Sequence, residues 1–185
     1  HHPSPFTYGS ILKGLCKGGH LDEARKFLKK LHAIPSAVDT VVYNTILSET
    51  CKSGNLQETV VLLDEMVESN VLPDTHTYSS LLAGLCRKGK MVAAILLFGK
   101  VMENGILSPN PIMYTCLIDG LFKIGQSKAA LYLFEEMENK GLYSDTIALN
   151  VMMGGYSRMG KMMKANDLFS TMGSRRLCPN LATYN

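Results

Sequence analysis

The sequence repeats with a period of about 35 residues, and this period constrains the fold more than any other feature. The clearest copy reads Val42-Tyr43-Asn44 and continues to Cys51-Lys52-Ser53-Gly54. Equivalent stretches begin near Tyr8, Tyr78, Tyr114 and Leu149. A fixed period of this length predicts a solenoid, in which each unit buries its apolar face only against its neighbours.

The Asp or Asn that ends each copy defines five full repeats and the start of a sixth. The predicted repeats are 5–39, 40–74, 75–110, 111–145 and 146–180, and residues 181–185 begin the sixth. The third repeat holds one extra residue in Ser108-Pro109-Asn110, which we expect a loop to accommodate. Residues 1–4 are interpreted as a tag remnant and lead-in, and the chain as a piece of a longer protein.

Each repeat is predicted to contain two helices, because apolar residues recur at helical spacing and no stretch alternates as a strand would. In the second helix of the second repeat, the predicted apolar face comprises Leu56, Val60, Leu63, Met66 and Val67.

A glycine in the middle of each repeat is predicted to be the left-handed residue that ends the first helix: Gly19, Gly54, Gly89, Gly125 and Gly160. Close approach of neighbouring helices is predicted at Gly14, Gly84, Gly120 and Gly155, and Glu49 fills the same place in the second repeat.

The bulk composition and the motif search exclude several classes of function. A net charge of +3 and a pI of about 8.6 are too mildly basic to indicate a nucleic-acid binder by themselves. No apolar run is long enough for a membrane span. The five cysteines show no disulfide or zinc pattern and are interpreted as small buried thiols, and the five histidines show no triad or metal spacing. We therefore predict no enzymatic activity, metal, cofactor, small-molecule substrate or membrane association.

The run Val41-Val42-Tyr43-Asn44-Thr45-Ile46-Leu47, with Cys51-Lys52 before Gly54 and then Leu62-Leu63-Asp64-Glu65-Met66, resembles the pentatricopeptide repeat family of plant organelles. The uniform repeat length is similar to the pure-repeat class of that family. The related tetratricopeptide repeat has a Trp-containing signature, and this chain has no Trp. The resemblance implies an all-α, right-handed superhelical solenoid that binds single-stranded RNA, with its N-terminus toward the 5′ end. It also implies a role in organellar RNA processing, stabilisation or translation, in the mitochondrion in preference to the chloroplast.

The resemblance further assigns the base contacts to fixed places in each repeat. Each base is expected to stack between the second residues of adjacent repeats, which are Phe6, Val41, His76, Ile112, Ile147 and Ala182. Its edge is expected to be read by the fifth and the last residue of the repeat. The full pairs are Asn44 with Asp74, Ser79 with Asn110, Thr115 with Asp145, and Asn150 with Asn180, and Gly9 with Asp39 is a weak pair.

Hydrogen-bond chemistry and the family pattern together predict one base for each pair. The ring N–H of uracil or guanine suits the carboxylate of Asp, whereas the bare ring nitrogen of adenine or cytosine suits the amide of Asn. In the family pattern, Ser or Thr at the fifth place goes with a purine and Asn with a pyrimidine. The full pairs then read U, A, G and C, with U tolerated at the last. Since Gly9 has no side chain, Asp39 alone predicts U or G weakly, and the sequence becomes 5′-(U/G)UAG(C/U)-3′.

A basic residue stands at the thirteenth place of every repeat: Lys17, Lys52, Arg87, Lys123 and Arg158. Such a row would rarely arise by chance when Lys and Arg total 19 of 185 residues. The second, fifth, ninth and thirteenth residues of a helix share roughly one face. The row is therefore predicted to lie along the phosphate backbone of the RNA.

Each of these residue sets also has a simpler structural interpretation. A lysine in the last turn of a helix interacts favourably with the helix dipole. An Asp or Asn at the end of a repeat can cap the next helix, and an apolar second residue can belong to the core. For the chain as a whole, the alternative function is a protein-binding helical scaffold. Truncated ends would expose helix faces, so self-association of the chain is a further expectation.

Overall fold

The computed structural model of this chain describes residues 5–34, 37–103, 107–142 and 144–184. Within these ranges the regular structure is entirely α-helical. The helices are α1 (Pro5–Lys17), α2 (Leu21–Leu31), α3 (Thr40–Ser53), α4 (Leu56–Glu68), α5 (Thr75–Arg87), α6 (Met91–Glu103), α7 (Pro111–Lys123), α8 (Ser127–Asn139), α9 (Thr146–Arg158), α10 (Met162–Ser174) and α11 (Leu181–Tyr184). The predicted all-α repeat of helix pairs is confirmed. Residues 1–4, interpreted as a tag remnant, lie outside the described ranges.

The chain divides into two compact units, His1–Gly84 and Leu85–Asn185, and the division falls within α5. In the first unit α1 packs on α2 and α3, and α3 packs on α4. In the second unit α7 packs on α6, α8 and α9, and α9 packs on α10. Each predicted repeat contains two successive helices, and α11 begins the sixth. The exact repeat boundaries stay a prediction.

The core of each unit is built mainly on the first helices of the repeats. Tyr43 and Ile46 on α3 are fully buried, as are Tyr114 and Leu117 on α7. The Tyr114 hydroxyl donates to Glu136 Oε1 at 2.9 Å, so burial of the ring leaves its polar end paired. Leu149 is fully buried at the place where the other repeats have Tyr, so an apolar side chain without a polar group fills this place in the fifth repeat.

The predicted apolar face of α4 is wrong in its orientation. Val60 and Val67 are about half exposed, whereas Leu62 and Thr59 are buried beside Met66. Thr59 can be buried because its hydroxyl donates to Asn55 O at 2.9 Å, or to Thr50 Oγ1 at 3.2 Å. A buried hydroxyl with such partners avoids the cost of an unpaired polar group. The face is therefore rotated by about one residue from the position that apolar spacing indicated.

The central glycines are confirmed as the residues that end the first helices. Each of them has a positive φ, between 68° and 88°. The N–H of Gly54 donates to Thr50 O and Cys51 O, which closes the last turn of α3. The left-handed conformation needed here favours glycine, because a Cβ would be strained.

The close helix approach predicted at the small residues is confirmed at three of the four places. A Cβ added to Gly84 would lie 2.6 Å from Cys51 Cβ, and one added to Gly155 would overlap the Phe122 ring. Gly120 is similarly tight against Met91, but Gly14 has open space around it. At the corresponding place Glu49 is 9% exposed and pairs with Lys52 at 2.8 Å. Burial first, and then the charge of this Glu49, raises the pKa of Cys16 to about 11.

The prediction of buried thiols holds only in part. Cys51 is buried, Cys16, Cys86 and Cys116 are half-buried, and Cys178 is exposed. Cys178 lies in the segment after α10, where no helix of the described chain covers it. Every helix in the described residues is too short or too polar to span a membrane.

Candidate nucleic-acid interface

The last residue of every repeat caps the first helix of the next repeat. Asp39 Oδ1 accepts from Val42 N at 2.9 Å, and Asp145 Oδ1 accepts from Ala148 N at 2.8 Å. The same bond is made by Asp74, Asn110 and Asn180. The capping interpretation is therefore confirmed at all five places. One side-chain oxygen makes the cap, so the second oxygen of each Asp lies outside it.

Two of the predicted fifth-and-last pairs are joined by hydrogen bonds. Asn44 Nδ2 donates to Asp74 Oδ1 at 3.2 Å, and Asn150 Nδ2 donates to Asn180 Oδ1 at 3.1 Å. The hydroxyl of Thr115 donates instead to Pro111 O at 2.7 Å, within its own helix. Both of the fifth residues that are Asn are thus bonded to their predicted partners.

The hydroxyl of Ser79, like that of Thr115, donates to the carbonyl four residues earlier, Thr75 O, at 2.7 Å. Its predicted partner Asn110 belongs to the other unit. Gly9, also a fifth residue, is buried and offers no side chain to pair with Asp39.

Asp74 is held as a carboxylate by its neighbours. Burial alone would raise the pKa of Asp74, but hydrogen bonds from Thr77 and from the Asn44 amide outweigh burial and hold that pKa below its usual value. Nearby His76 acts in the same direction. At neutral pH Asp74 is therefore an anionic hydrogen-bond acceptor.

The second residues of the repeats are exposed, so the interpretation of these side chains as core is wrong. Phe6 is 77% exposed, Ile147 62%, Ile112 57% and Val41 54%. His76 and Ala182 are also exposed. Large apolar side chains repeated on a surface at one phase indicate a surface that binds something.

In the first unit, a groove of about 440 Å³ collects the predicted residues of the second repeat. It is lined by the second residues Val41 and His76, by the reading pair Asn44 and Asp74, and by the basic Lys52. The groove therefore combines apolar surface, a donor–acceptor pair and positive charge. It also contains four residues that the sequence reasoning had not assigned, Lys13, Thr45, Ser48 and Glu49. Lys13 and Ser48 are ninth residues, whose shared helix face was the available signal.

A second groove, of about 500 Å³, lies within the other unit. It brings together Asn150, Arg158 and Ala182, which are the fifth and thirteenth residues of the fifth repeat and the second residue of the sixth. Apolar side chains of Met162 and Phe169 line the same groove. The recurrence of fifth, thirteenth and next second residues in both grooves matches the predicted arrangement.

The basic row lies in the last turns of the first helices, and its five members are exposed. This location is the one that the helix-dipole interpretation requires. Lys52 pairs with Glu49 at 2.8 Å, and Lys123 pairs with Asp119 at 2.6 Å. These carboxylates reduce the positive charge that the two lysines offer to a ligand.

Among the described residues, no group of His, Cys, Asp and Glu is arranged to hold a metal ion.

Comparison with known families decides the relationship that the repeats indicate. The model of the PPR repeat family matches residues 38–87, 109–148 and 144–185, which is more than half of the chain. The chain belongs to the pentatricopeptide repeat family. Two further models, each described as a PPR repeat, match residues 1–31 and 76–106. No curated protein matches the sequence of this pentatricopeptide repeat chain.

Solved pentatricopeptide repeat structures share the fold. The structure of PPR10 from maize superposes with a TM-score of 0.75 at 24% identity, covering 98% of this chain and 26% of PPR10. PPR10 in complex with an 18-nt psaJ RNA element gives 0.72 at 25% identity, covering 99% and 30%. The PPR domain of Arabidopsis thaliana protein-only RNase P 1, in complex with tRNA, gives 0.69 at 15%, covering 95% and 92%. This chain therefore spans about a quarter of the length of PPR10.

Proposed function

We propose that this pentatricopeptide repeat chain binds single-stranded RNA in a sequence-dependent way, one base per repeat, without a catalytic step of its own. The observation that carries the proposal is the groove with Val41 and His76 as apolar and aromatic surfaces, Asn44 and Asp74 as a polar pair, and Lys52 beside them. Stacking on side chains and a basic groove are the usual means of holding single strands. Two relatives of the same fold, PPR10 and the PPR domain of protein-only RNase P 1, were solved with RNA.

The proposed reading order is 5′-(U/G)UAG(C/U)-3′, from the first repeat to the fifth. The bonded pair Asn44 and Asp74 supports U at the second repeat, since an N–H donor beside a carboxylate acceptor complements the carbonyl and N3–H of uracil. Thr115 with Asp145 is proposed to read G, Ser79 with Asn110 to read A, and Asn150 with Asn180 to read C. We propose further that this chain belongs to the pure-repeat class. Its proposed role is in processing, stabilisation or translation of an organellar transcript, in the mitochondrion.

The direct test is competition for binding among short RNAs. We expect an RNA that contains 5′-UAGC-3′ to bind better than the reversed sequence and better than a duplex of the same composition. Stacking contributes only about 1–3 kcal/mol per base, so the titration should begin at low salt. Equal affinity for all single strands would remove the base code, and no binding at low salt would favour the protein-binding scaffold.

Asp119→Asn is expected to strengthen the binding of every RNA, because it removes the carboxylate that pairs with Lys123 at 2.6 Å. Lys123→Ala should act in the opposite direction and lower the salt slope of single-strand binding by roughly 0.7 per lost phosphate contact. Salt titrations of both variants measure these effects. Asp64→Asn, on the exposed face of α4, is the control for net charge and should change affinity little.

Neither substitution in the Asp119 and Lys123 pair should alter the ranking of the RNAs. If both variants bind RNA as the parent does and only the melting curve moves, the thirteenth residues serve the helix ends alone.

A further inference from the structure

The third residue of each repeat follows a pattern that matches the fifth residue of the repeat before it. Thr77 follows Asn44, and Thr183 follows Asn150, by 33 residues in each case. Where the fifth residue is Gly9, Ser79 or Thr115, the corresponding third residues lack a hydroxyl and are Val42, Met113 and Ala148. Thr7, the third residue of the first repeat, has no preceding fifth residue in this sequence. At the other five places, a hydroxyl is present where the preceding fifth residue is an amide and absent where it is not.

The structure shows what the hydroxyl of Thr77 does in the second repeat. Thr77 is only 1% exposed, and its Oγ1 lies 2.6 Å from Asn44 Oδ1 and 2.8 Å from Asp74 Oδ1. Its Oγ1 also accepts from Asp74 N at 3.0 Å. Because a hydroxyl carries one proton, it can donate fully to only one of the two oxygens. We assign this proton to Asn44 Oδ1, the nearer oxygen, because Asp74 Oδ1 already accepts from Thr77 N at 2.7 Å and from Asn44 Nδ2.

The Asn44 amide is thus held from both ends. Its Nδ2 donates to Asp74 Oδ1 at 3.2 Å, and its Oδ1 accepts from Thr77. Turning the amide over would place its carbonyl oxygen against the Asp74 carboxylate, so the two acceptors would repel each other. The held amide keeps one N–H for a ligand, and one lone pair of its carbonyl already accepts from Thr77. It therefore acts toward a base chiefly as a donor.

We propose that Thr77 is a positioning residue for base recognition, which orients Asn44 so that the second repeat selects uracil over cytosine. This inference rests on the proposed function of the chain. Uracil offers a carbonyl acceptor beside its N3–H, which matches one donor from Asn44 and one acceptor from Asp74. Cytosine offers an amino donor beside a bare ring nitrogen, which the held pair does not match.

The fifth repeat provides an internal comparison. Asn150 Nδ2 donates to Asn180 Oδ1 at 3.1 Å, but Asn150 Oδ1 is buried without a partner among the described residues. The Thr183 hydroxyl donates to Asn180 Oδ1 at 3.2 Å instead. The Asn150 amide is therefore held from one end only, and its partner is neutral. The fifth repeat should discriminate less between U and C than the second does.

The test compares RNAs containing UAGC and CAGC, whose first base is the one assigned to the second repeat. Thr77→Val removes the hydroxyl, and valine is the native third residue at Val42. We expect the preference for U over C to fall by about fivefold, the factor that corresponds to one hydrogen bond of average strength. The preference for UAGC over UAAC, assigned to the fourth repeat, should not change. Thr77→Ser keeps the hydroxyl and should retain the parent's preference.

Two controls separate positioning from loss of stability. Thr50→Val removes another buried hydroxyl, which bonds to Ile46 O and Leu47 O away from the groove, and should leave the U-over-C ratio intact. Adding Thr77→Val to Asn44→Ser should cause no further change of preference, because the amide through which Thr77 acts is gone. If Thr77→Val does not fold, Thr77→Ala answers the same question, since Ala148 is native at this place.

The outcomes distinguish the inference from the proposed function. If the parent prefers U and Thr77→Val keeps the same U-over-C ratio, the positioning role is overturned while RNA recognition stands. A ratio that falls equally in Thr77→Val and Thr50→Val also overturns it, because stability would be the cause. If the parent itself does not distinguish UAGC from CAGC, the base assignment of the second repeat fails and the inference fails with it.

Discussion

Asp145→Asn is expected to change the preferred base of the fourth repeat from guanine to adenine. The proposed reader, Asp145, offers a carboxylate to the N1–H of guanine, whereas an amide offers a donor to the bare N1 of adenine. Thr115 is unchanged and keeps the repeat on purines. A mismatched hydrogen bond costs about 1–3 kcal/mol, so UAAC should overtake UAGC in a competition titration.

The stability of the protein should hardly change in this variant. Asp145 Oδ1 caps α9 by accepting from Ala148 N at 2.8 Å, and Asn caps a helix about as well as Asp. Asp39→Asn is the matched control for stability, because Asp39 makes the same kind of cap. The fifth residue of its repeat, Gly9, has no side chain to pair with it. If Asp145→Asn and the parent rank UAGC and UAAC identically, Asp145 is a cap and not a reader.

Gly84→Ala is expected to destabilise the protein by about 2 kcal/mol. The added Cβ would lie 2.6 Å from Cys51 Cβ, an atom attached directly to the backbone of α3 that cannot rotate away. Overpacking of this kind costs up to about 3 kcal/mol, and the better helix propensity of Ala offsets about 1 kcal/mol of it. The free energy of unfolding, from urea titration, measures the difference.

Gly14→Ala is the matched control for that substitution. Gly14 occupies the same place in α1, but an added Cβ would meet nothing within 4 Å. This variant should be more stable than the parent by roughly 0.5–1 kcal/mol, since alanine restricts the unfolded chain and favours the helix. Equal free energies of unfolding for the two variants would mean that α3 and α5 are not in close contact at Gly84.

Features that depend on one phase of the repeat were predictable from the sequence. The helix pairs, the turns at glycines such as Gly54 and the tight contact at Gly84 all follow from residues that recur at one place. The orientation of α4 was not predictable from apolar spacing, because Thr59 is buried through its hydroxyl bonds while Val60 faces outward. An apolar second residue such as Val41 fits a core or a surface equally well in sequence, and only its exposure decides.

Contacts between neighbouring repeats were the other part that sequence reasoning missed. Glu49 differs from the glycines at its place, and its burial beside Lys52 became apparent only when the helices were packed. The bond from Thr77 to Asn44 joins residues 33 apart. Taken separately, Thr77 is a threonine near the start of a helix and Asn44 is a polar residue within a helix, and neither is unusual there. Their shared role is visible only where α3 and α5 meet.

The caps at the repeat ends have a consequence for how such a protein can evolve. Asp and Asn make the same cap, as Asp39 and Asn110 do here at 2.9 Å each, so exchanging one for the other is nearly neutral for folding. The codons of the two amino acids differ by a single nucleotide. On the proposed code, one point mutation would then redirect a repeat to a different base while the protein stays folded. Base changes in the RNA target could then be matched by Asp/Asn exchanges in one repeat at a time, without passing through unstable proteins.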